Sequence, residues 1–291
     1  MISLFKKFAK VLLGRSVIVD IVPPIEFVGW KMATGTRVPW QDGGSNKLGR
    51  AFAECDLKLI EYIALQKVIL TQFRRKSVAR EVAQLRWRHY IVYWSATLAS
   101  QIAGGDRRNF VEMGVCDGLT TWFASHARQS SRCGGEFFLY DAWDEMRSDL
   151  LTASERKSAG SYAYLNIENT ARNLSHCAEE KFVFNKGYIP KSFSHSRNPK
   201  DIAWLHIDLN SSMPTIASLD FFWDRLLPGG LVLLDDFAWP GYEETRIDVE
   251  VWCQGRGLDI LQIPTGQALL TKRSALVSAQ SLEASGHPPT I

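Results

Sequence analysis

Between residues 106 and 273 short apolar runs alternate with amphipathic stretches. The runs are Phe110–Met113, Glu136–Tyr140, Phe182–Asn185, Ile202–Ile207 and Leu231–Leu234. Short apolar runs separated by helix-length amphipathic segments predict βαβ units and a parallel sheet. Two further runs, Leu258–Ile263 and Ala268–Thr271, are separated only by Pro264-Thr265-Gly266-Gln267. A parallel crossover needs a dozen or more residues, so these two pair as an antiparallel hairpin. The pattern predicts an α/β domain with a seven-stranded, mostly parallel sheet that ends in one antiparallel pair.

The first part of the chain has a different period. Trp30 to Lys47 is rich in Gly, Thr, Pro and Asn and reads as a loop. From Cys55 to Val68 the apolar residues Leu57, Leu59, Ile60, Ile63, Leu65 and Val68 recur at helical spacing. A second helical run, Val82 to Ile102, carries Trp87, Tyr90, Tyr93, Trp94 and Leu98. Residues 1–105 therefore form a helical N-terminal extension, suited to covering a site or to dimerisation. Residues 106–273 form the α/β domain, and 274–291, rich in Ser, Ala, Gly and Pro, a flexible tail.

Composition narrows the class. Apolar residues make up 46% and charged residues 22% of the chain, enough for a sizeable core. A net charge of +3 makes no demand for nucleic acid. The five cysteines (Cys55, Cys116, Cys133, Cys177 and Cys253) form no CxxC pair, which argues against a zinc site or a disulfide framework. A reducing, cytoplasmic setting follows by default. Lysines interrupt the apolar residues of Met1–Gly14, so neither a signal peptide nor a membrane span is expected there. That stretch suits either a short basic helix resting peripherally on a membrane or one packed on protein.

Each strand from the first to the fifth ends in a chemical signal. The first runs Phe110-Val-Glu112-Met-Gly114-Val-Cys-Asp-Gly118-Leu-Thr120-Thr. Glycine permits positive φ and close approach to a ligand, and the helix start beyond it favours negative groups. The spacing Glu-x-Gly-x-x-x-Gly resembles an S-adenosylmethionine loop more than the Gly-x-Gly-x-x-Gly pyrophosphate loop. Asp141 closes the second strand and is placed to accept ribose hydroxyls, with Ala142 and Trp143 beside it; a helix cap is the plain alternative. Asp144 and Glu145 compete for the ribose, and Glu112 suits the methionine amino group. At the end of the third strand, Gly187 and Tyr188 are expected beside the adenine, where Tyr188 either flanks the base or packs.

The fourth strand ends Trp204-Leu-His206-Ile-Asp208-Leu-Asn210, and the fifth ends Leu233-Leu-Asp235-Asp236. Carboxylates at adjacent central strand ends converge on the crevice where open α/β sheets bind ligands. Asp208, Asp235 and Asp236 would repel one another there, and a bound cation would relieve this. Oxygen donors favour Mg²⁺ or Ca²⁺, with Mn²⁺ as a further candidate, over zinc. Capping of helices, without metal, is the alternative. His206 is a candidate base next to Asp208, or a buried structural histidine. Trp239, Tyr242 and Glu243 follow the fifth strand and suit a sugar acceptor, or pack loops.

At these residues the sequence resembles the macrocin-type sugar O-methyltransferases of macrolide pathways, and related enzymes found with bacterial polysaccharide biosynthesis. The resemblance spans roughly residues 108 to 272 and rests on Asp141-Ala-Trp-Asp-Glu-Met, Lys186-Gly-Tyr-Ile-Pro-Lys-Ser-Phe and Pro228-Gly-Gly-Leu-Val-Leu-Leu-Asp-Asp. It implies a class I S-adenosylmethionine-dependent methyltransferase with a Rossmann-like fold. It also implies Mg²⁺ held by Asp208, Asp235 and Asp236, a cytoplasmic homo-oligomer, and a small-molecule or glycan substrate. Asn210 departs from the family, which tends to have an aspartate there. A non-sugar acceptor and a catalytically silent partner protein stand as alternatives.

Overall fold

The computed structural model describes residues 38–41, 46–73, 77–102, 108–129, 133–177 and 179–273. The basic N-terminal stretch, most of the Trp30–Lys47 loop and the tail from Ser274 lie outside the described residues.

The extension forms α1 (Lys47–Ala64), α2 (Val78–Gln84) and α3 (Arg86–Ala99). Helix α1 starts ahead of the apolar stripe at Cys55 because the Asn46 side chain caps it, accepting from Gly49 N at 3.0 Å. The run expected from Val82 to Ile102 is two helices. They meet at Leu85, whose φ of −90° and ψ of 7° break the helical path.

The α/β domain follows as β1 (Asn109–Met113), α4 (Leu119–Gln129), β2 (Phe137–Asp141), α5 (Ile167–Leu174), β3 (Phe182–Lys186) and β4 (Ile202–Ile207). It continues with α6 (Ser212–Phe222), β5 (Leu226–Leu234), α7 (Glu243–Gln254), β6 (Leu261–Gln262) and β7 (Ala268–Thr271). The strands form one seven-stranded sheet in the order β3-β2-β1-β4-β5-β7-β6. Strands β1 to β5 pair in parallel; β7 runs antiparallel to β5, and β6 antiparallel to β7. The expected fold class and its terminal antiparallel pair are therefore present. Two strands differ in length from the sequence pattern. β5 begins at Leu226 because Pro228-Gly-Gly bulges within the strand instead of preceding it; the register shifts against β4, and Gly229 N donates to Lys272 O at 2.7 Å. β6 keeps only two residues of its apolar run, since it is an edge strand with Leu261 exposed.

Strand alternation sorts side chains onto two faces. Phe110, Trp204, Leu231 and Leu233 pack with Phe52, Tyr93, Ala96 and Phe123 of α1, α3 and α4. Val111, Leu205, Val232 and Leu234 pack with Leu219, Phe222, Val249 and Trp252 of α6 and α7. The extension thus shares a core with the sheet. Phe52 stacks on Phe123 with centroids 5.4 Å apart, and Trp204 Nε1 donates to Ser95 Oγ at 3.0 Å. For the site, the consequence is that side chains on the Trp204 face point toward α3.

Candidate active site

The turn after β1 closes against the end of β4. Asp208 N donates to Met113 O at 2.8 Å, so the two strand ends stay paired past the sheet. Gly114 sits between them with φ of 80°, and a Cβ there would lie 1.8 Å from the Asp208 carbonyl oxygen. Only glycine fits. Gly118 also has positive φ and packs under Leu174 of α5.

Asp141 holds this turn by its backbone. Its Oδ2 accepts from Val115 N at 2.7 Å and Cys116 N at 2.8 Å; its Oδ1 accepts from Trp143 N at 2.7 Å. Burial nevertheless pushes its carboxyl above the ordinary range. A carboxylate offers about four acceptor positions, so three donors leave room for one ribose hydroxyl rather than two. Asp144 and Glu145 also line the cavity, and either can take the second.

That cavity encloses about 380 Å³, within the range of a cofactor-sized pocket. Gly114, Asp141, Ala142, Gly187, Tyr188 and Asp208 all line it. Tyr188 donates its hydroxyl to Glu145 O at 2.8 Å and carries the Arg147 guanidinium over its ring at 5.4 Å. These residues suit S-adenosylmethionine: an acid at the ribose, an aromatic ring near the base, and a bare glycine turn where the chain must pass close. Four other expected cofactor residues stand behind the wall. Trp143 is buried, with Nε1 donating to Thr170 Oγ1 at 2.9 Å. Gly118 packs as described, and Thr120 faces α3. Glu112 is fully buried, accepts from Thr121 Oγ1, and lies 3.5 Å from His206 Nδ1.

At the other end, Asp235 follows β5 on the Trp204 face and Asp236 follows on the opposite face. Asp236 Oδ2 accepts from Asn210 N at 2.8 Å, and burial beside Asp208 and Asp235 pushes its carboxyl well up. His206, Asp208 and Asp235 do converge, with ligand atoms within 4.8 Å of one another. The charge between them is already supplied. Arg88 of α3 donates Nε to Asp235 Oδ1 and Oδ2 at 2.9 and 2.8 Å, Nη2 to Asp208 Oδ2 at 2.7 Å, and Nη1 to Thr120 Oγ1 at 3.2 Å. Gln267 Nε2 adds a donor to Asp235 Oδ1 at 2.9 Å. The expected three-aspartate metal set therefore does not fit: Asp236 is turned away, and a guanidinium bridges the other two.

His206 lies wholly buried, 3.5 Å from Glu112 and 3.7 Å from Asp235. Neither ring nitrogen makes a hydrogen bond of ordinary geometry, so these are ion-pair contacts. Burial opposes its charge, but the Asp235 and Glu112 carboxylates outweigh this and push it up to about 9. Asp235 is held below its ordinary range by Arg88 and His206 against the pull of burial, and Asp208 is raised by burial and by Asp235. A histidine charged at neutral pH and away from the cavity stabilises Asp235; it is poorly placed to accept an acceptor proton.

Of the expected substrate residues, Tyr242 does not line the cavity itself but donates its hydroxyl to Asn210 Oδ1, and Asn210 does line it. Trp239 is half exposed against Gly266 of the β6–β7 turn, and Glu243 begins α7 and accepts from Gly241 N at 3.0 Å. Neither lines the cavity.

Several residues beyond the expected set shape the site. Gln72 and Phe73 from the extension and Tyr162 and Tyr164 from the segment after β2 line the cavity. Asp117 ties the first pair to the glycine turn, accepting from Thr71 N, Thr71 Oγ1 and Gln72 N, while its other oxygen takes Asn169 Nδ2 at 2.6 Å. Glu155 fastens the segment after β2 to the start of α6 through Ser211 Oγ at 2.8 Å and Ser212 N at 2.7 Å. Asp117, inside the glycine motif, was the one legible signal: an acid in a tight turn with donors to collect. Arg88 carried none beyond being a cation within an aromatic helical run.

Residues 111–237 match the family model of a methyltransferase domain. No curated protein matches the sequence. Among solved structures, the chain is similar to the O-methyltransferase NovP at 17% identity and a TM-score of 0.54, covering 64% of this chain and 80% of that one. It is similar to CalS11, a calicheamicin methyltransferase, at 14% identity and a TM-score of 0.55, covering 79% of this chain and 94% of that one. With the strand order, these likenesses give the chain the Rossmann-like fold of class I methyltransferases, and residues 111–237 carry the match to a methyltransferase domain.

Proposed function

We propose that the protein transfers the methyl group of S-adenosylmethionine to a hydroxyl of a sugar or of a glycosylated small molecule. The observation that carries this reading is Asp208. It lines the cofactor cavity and at the same time belongs to the buried charge cluster at the ends of β4 and β5. The macrocin-type resemblance of the surrounding motifs supports the sugar, and the likeness to the O-methyltransferase NovP supports transfer to oxygen. A cytoplasmic setting and a homo-oligomer rest on cysteine usage and the resemblance alone.

The cofactor supplies a methyl group already activated on a sulfonium. The protein must align the acceptor oxygen with it and receive a proton. Gly114 and Asp141 would hold the cofactor at the turn after β1, with Asp141 the acceptor for a ribose hydroxyl. Asp208, at the cavity wall, would receive the proton of the acceptor hydroxyl as the methyl group is transferred. Arg88 fixes Asp208 through Oδ2. Tyr242 and Asn210 flank the acceptor side.

Calorimetry with S-adenosylmethionine, followed by transfer of labelled methyl to a panel of sugars, sugar nucleotides, glycosides and catechols, tests the reading. Micromolar cofactor binding and labelling of polyhydroxyl acceptors are expected. No cofactor binding would overturn the enzyme reading, and labelling of catechols alone would overturn the sugar.

A further inference from the structure

The cation at the aspartate pair comes from outside the segment that carries the aspartates. Arg88 lies 120 residues from Asp208 and 147 from Asp235 in sequence, on a helix of the N-terminal extension. Its side chain is only 13% exposed, and Asp235 is 8% exposed. Asp236 acts on it electrostatically without a hydrogen bond, and the remaining groups are in closer contact. Asp208 and Asp235 accept from it, Thr120 accepts from Nη1, and Gln267 and His206 approach Asp235 from the far side. Glu112 stands behind His206.

A divalent ion and this guanidinium compete for the same lone pairs. Mg²⁺ needs near-octahedral oxygen ligands at about 2.0–2.1 Å and keeps several waters. Here both Asp235 oxygens and one Asp208 oxygen are engaged by Arg88. Asp236, the third oxygen donor such a centre would use, lies outside the converging group and accepts from Asn210 N through Oδ2. An ion entering this space would have to displace a largely buried arginine and leave that charge without a partner, a large cost. Guanidinium is also the side chain best shaped to bridge carboxylates with fixed geometry.

We propose that Arg88 is the resident cation of the Asp208–Asp235 pair, standing where a divalent metal would otherwise sit, and that this methyltransferase works without one. Arg88 is then a positioning residue: it sets the orientation of Asp208 at the cavity wall. The helical extension is part of the active site rather than an accessory, because it supplies that charge. The inference deepens the methyltransferase reading at the same site, but its first readout is metal binding, which needs no acceptor.

The test is a Mn²⁺ titration of the full chain, followed by electron paramagnetic resonance, with S-adenosylhomocysteine present and absent. The wild type should bind no stoichiometric Mn²⁺ at millimolar concentration, and EDTA should leave cofactor affinity unchanged. Arg88→Ala should gain a Mn²⁺ site at least about tenfold tighter than any in the wild type. Adding Asp235→Asn should remove that gain, and Arg88→Lys, which keeps the charge, should not show it. Stoichiometric Mn²⁺ on the wild type that Asp235→Asn abolishes would overturn the proposal, and this needs no Arg88 variant to fold. Methyl transfer abolished by EDTA and restored by Mg²⁺ would overturn it as well. Failure of the methyltransferase reading would show separately, as absent cofactor binding, and would leave the Mn²⁺ result standing.

Discussion

Asp141 and Asp235 are carboxylates at the ends of strands in one sheet, and they are satisfied in opposite ways. Asp141 takes three backbone N–H groups, two from the glycine turn and one from Trp143. Asp235 takes side chains: Arg88 from the extension, Gln267 from the β6–β7 turn, and the His206 charge from β4. The first arrangement is made by the local path of the chain. The second exists only when three distant elements dock. A carboxylate held by backbone dipoles can tolerate a neutral replacement in part, whereas one paired with buried cations cannot lose its charge without stranding them.

The sharpest way to break this comparison is Asp235→Ala. It leaves Arg88 and His206 buried beside a lone Asp208 and Glu112. The expected loss is about 3–5 kcal/mol of stability, read as the urea midpoint at constant slope. A loss under 1 kcal/mol, on the order of a surface substitution, would show that the pair is not structural. Asp141→Asn should cost less, about 1–3 kcal/mol. The amide can turn its NH₂ toward Trp143 N and keep its oxygen for Val115 and Cys116, so one donor is stranded rather than three. Its main effect should be on S-adenosylmethionine affinity, measured by calorimetry, because the ribose loses an anionic acceptor.

Asp117→Asn sharpens the comparison from a third direction, since this acid joins backbone donors of the extension to the glycine turn. Its amide can replace one oxygen only. A loss of about 1–2 kcal/mol is expected, with weaker cofactor binding because Gln72 and Phe73 are no longer held at the cavity. Hydrogen exchange at residues 69–73 should rise. Tyr188→Phe is the mildest change. It removes one hydrogen bond to Glu145 O at a partly exposed site, and should cost under about 1 kcal/mol while leaving cofactor affinity nearly intact. A large loss of affinity would mean that the hydroxyl, rather than the ring, meets the cofactor.

The parts of the site legible from sequence are those made within a few residues. Gly114 follows a strand and precedes a helix, and Asp141 ends the next strand; both stand at the cavity because the βαβ path leaves them no other place. Trp143 shares that neighbourhood but turns inward, with φ of 43°, to pack between Thr170 and Phe184. Adjacency did not give its direction. The same limit separates Asp235 from Asp236: successive residues on an extended strand face opposite ways, so two neighbouring aspartates reach two different surroundings.

The chain's own hydrophobic period determined the sheet, its terminal antiparallel pair and the helical character of residues 55–64 and most of 82–99, because burial of alternating or helical apolar faces is a local requirement. It determined the glycine turn and the acid at the end of β2 for the same reason. What only the tertiary structure decided is the charge state of the acceptor end. Whether Asp208 and Asp235 wait for an ion or already hold one depends on which side chain of α3 faces them after docking. That face is chosen by the packing of Phe52, Tyr93 and Trp204 in the shared core, which places Arg88 over the strand ends.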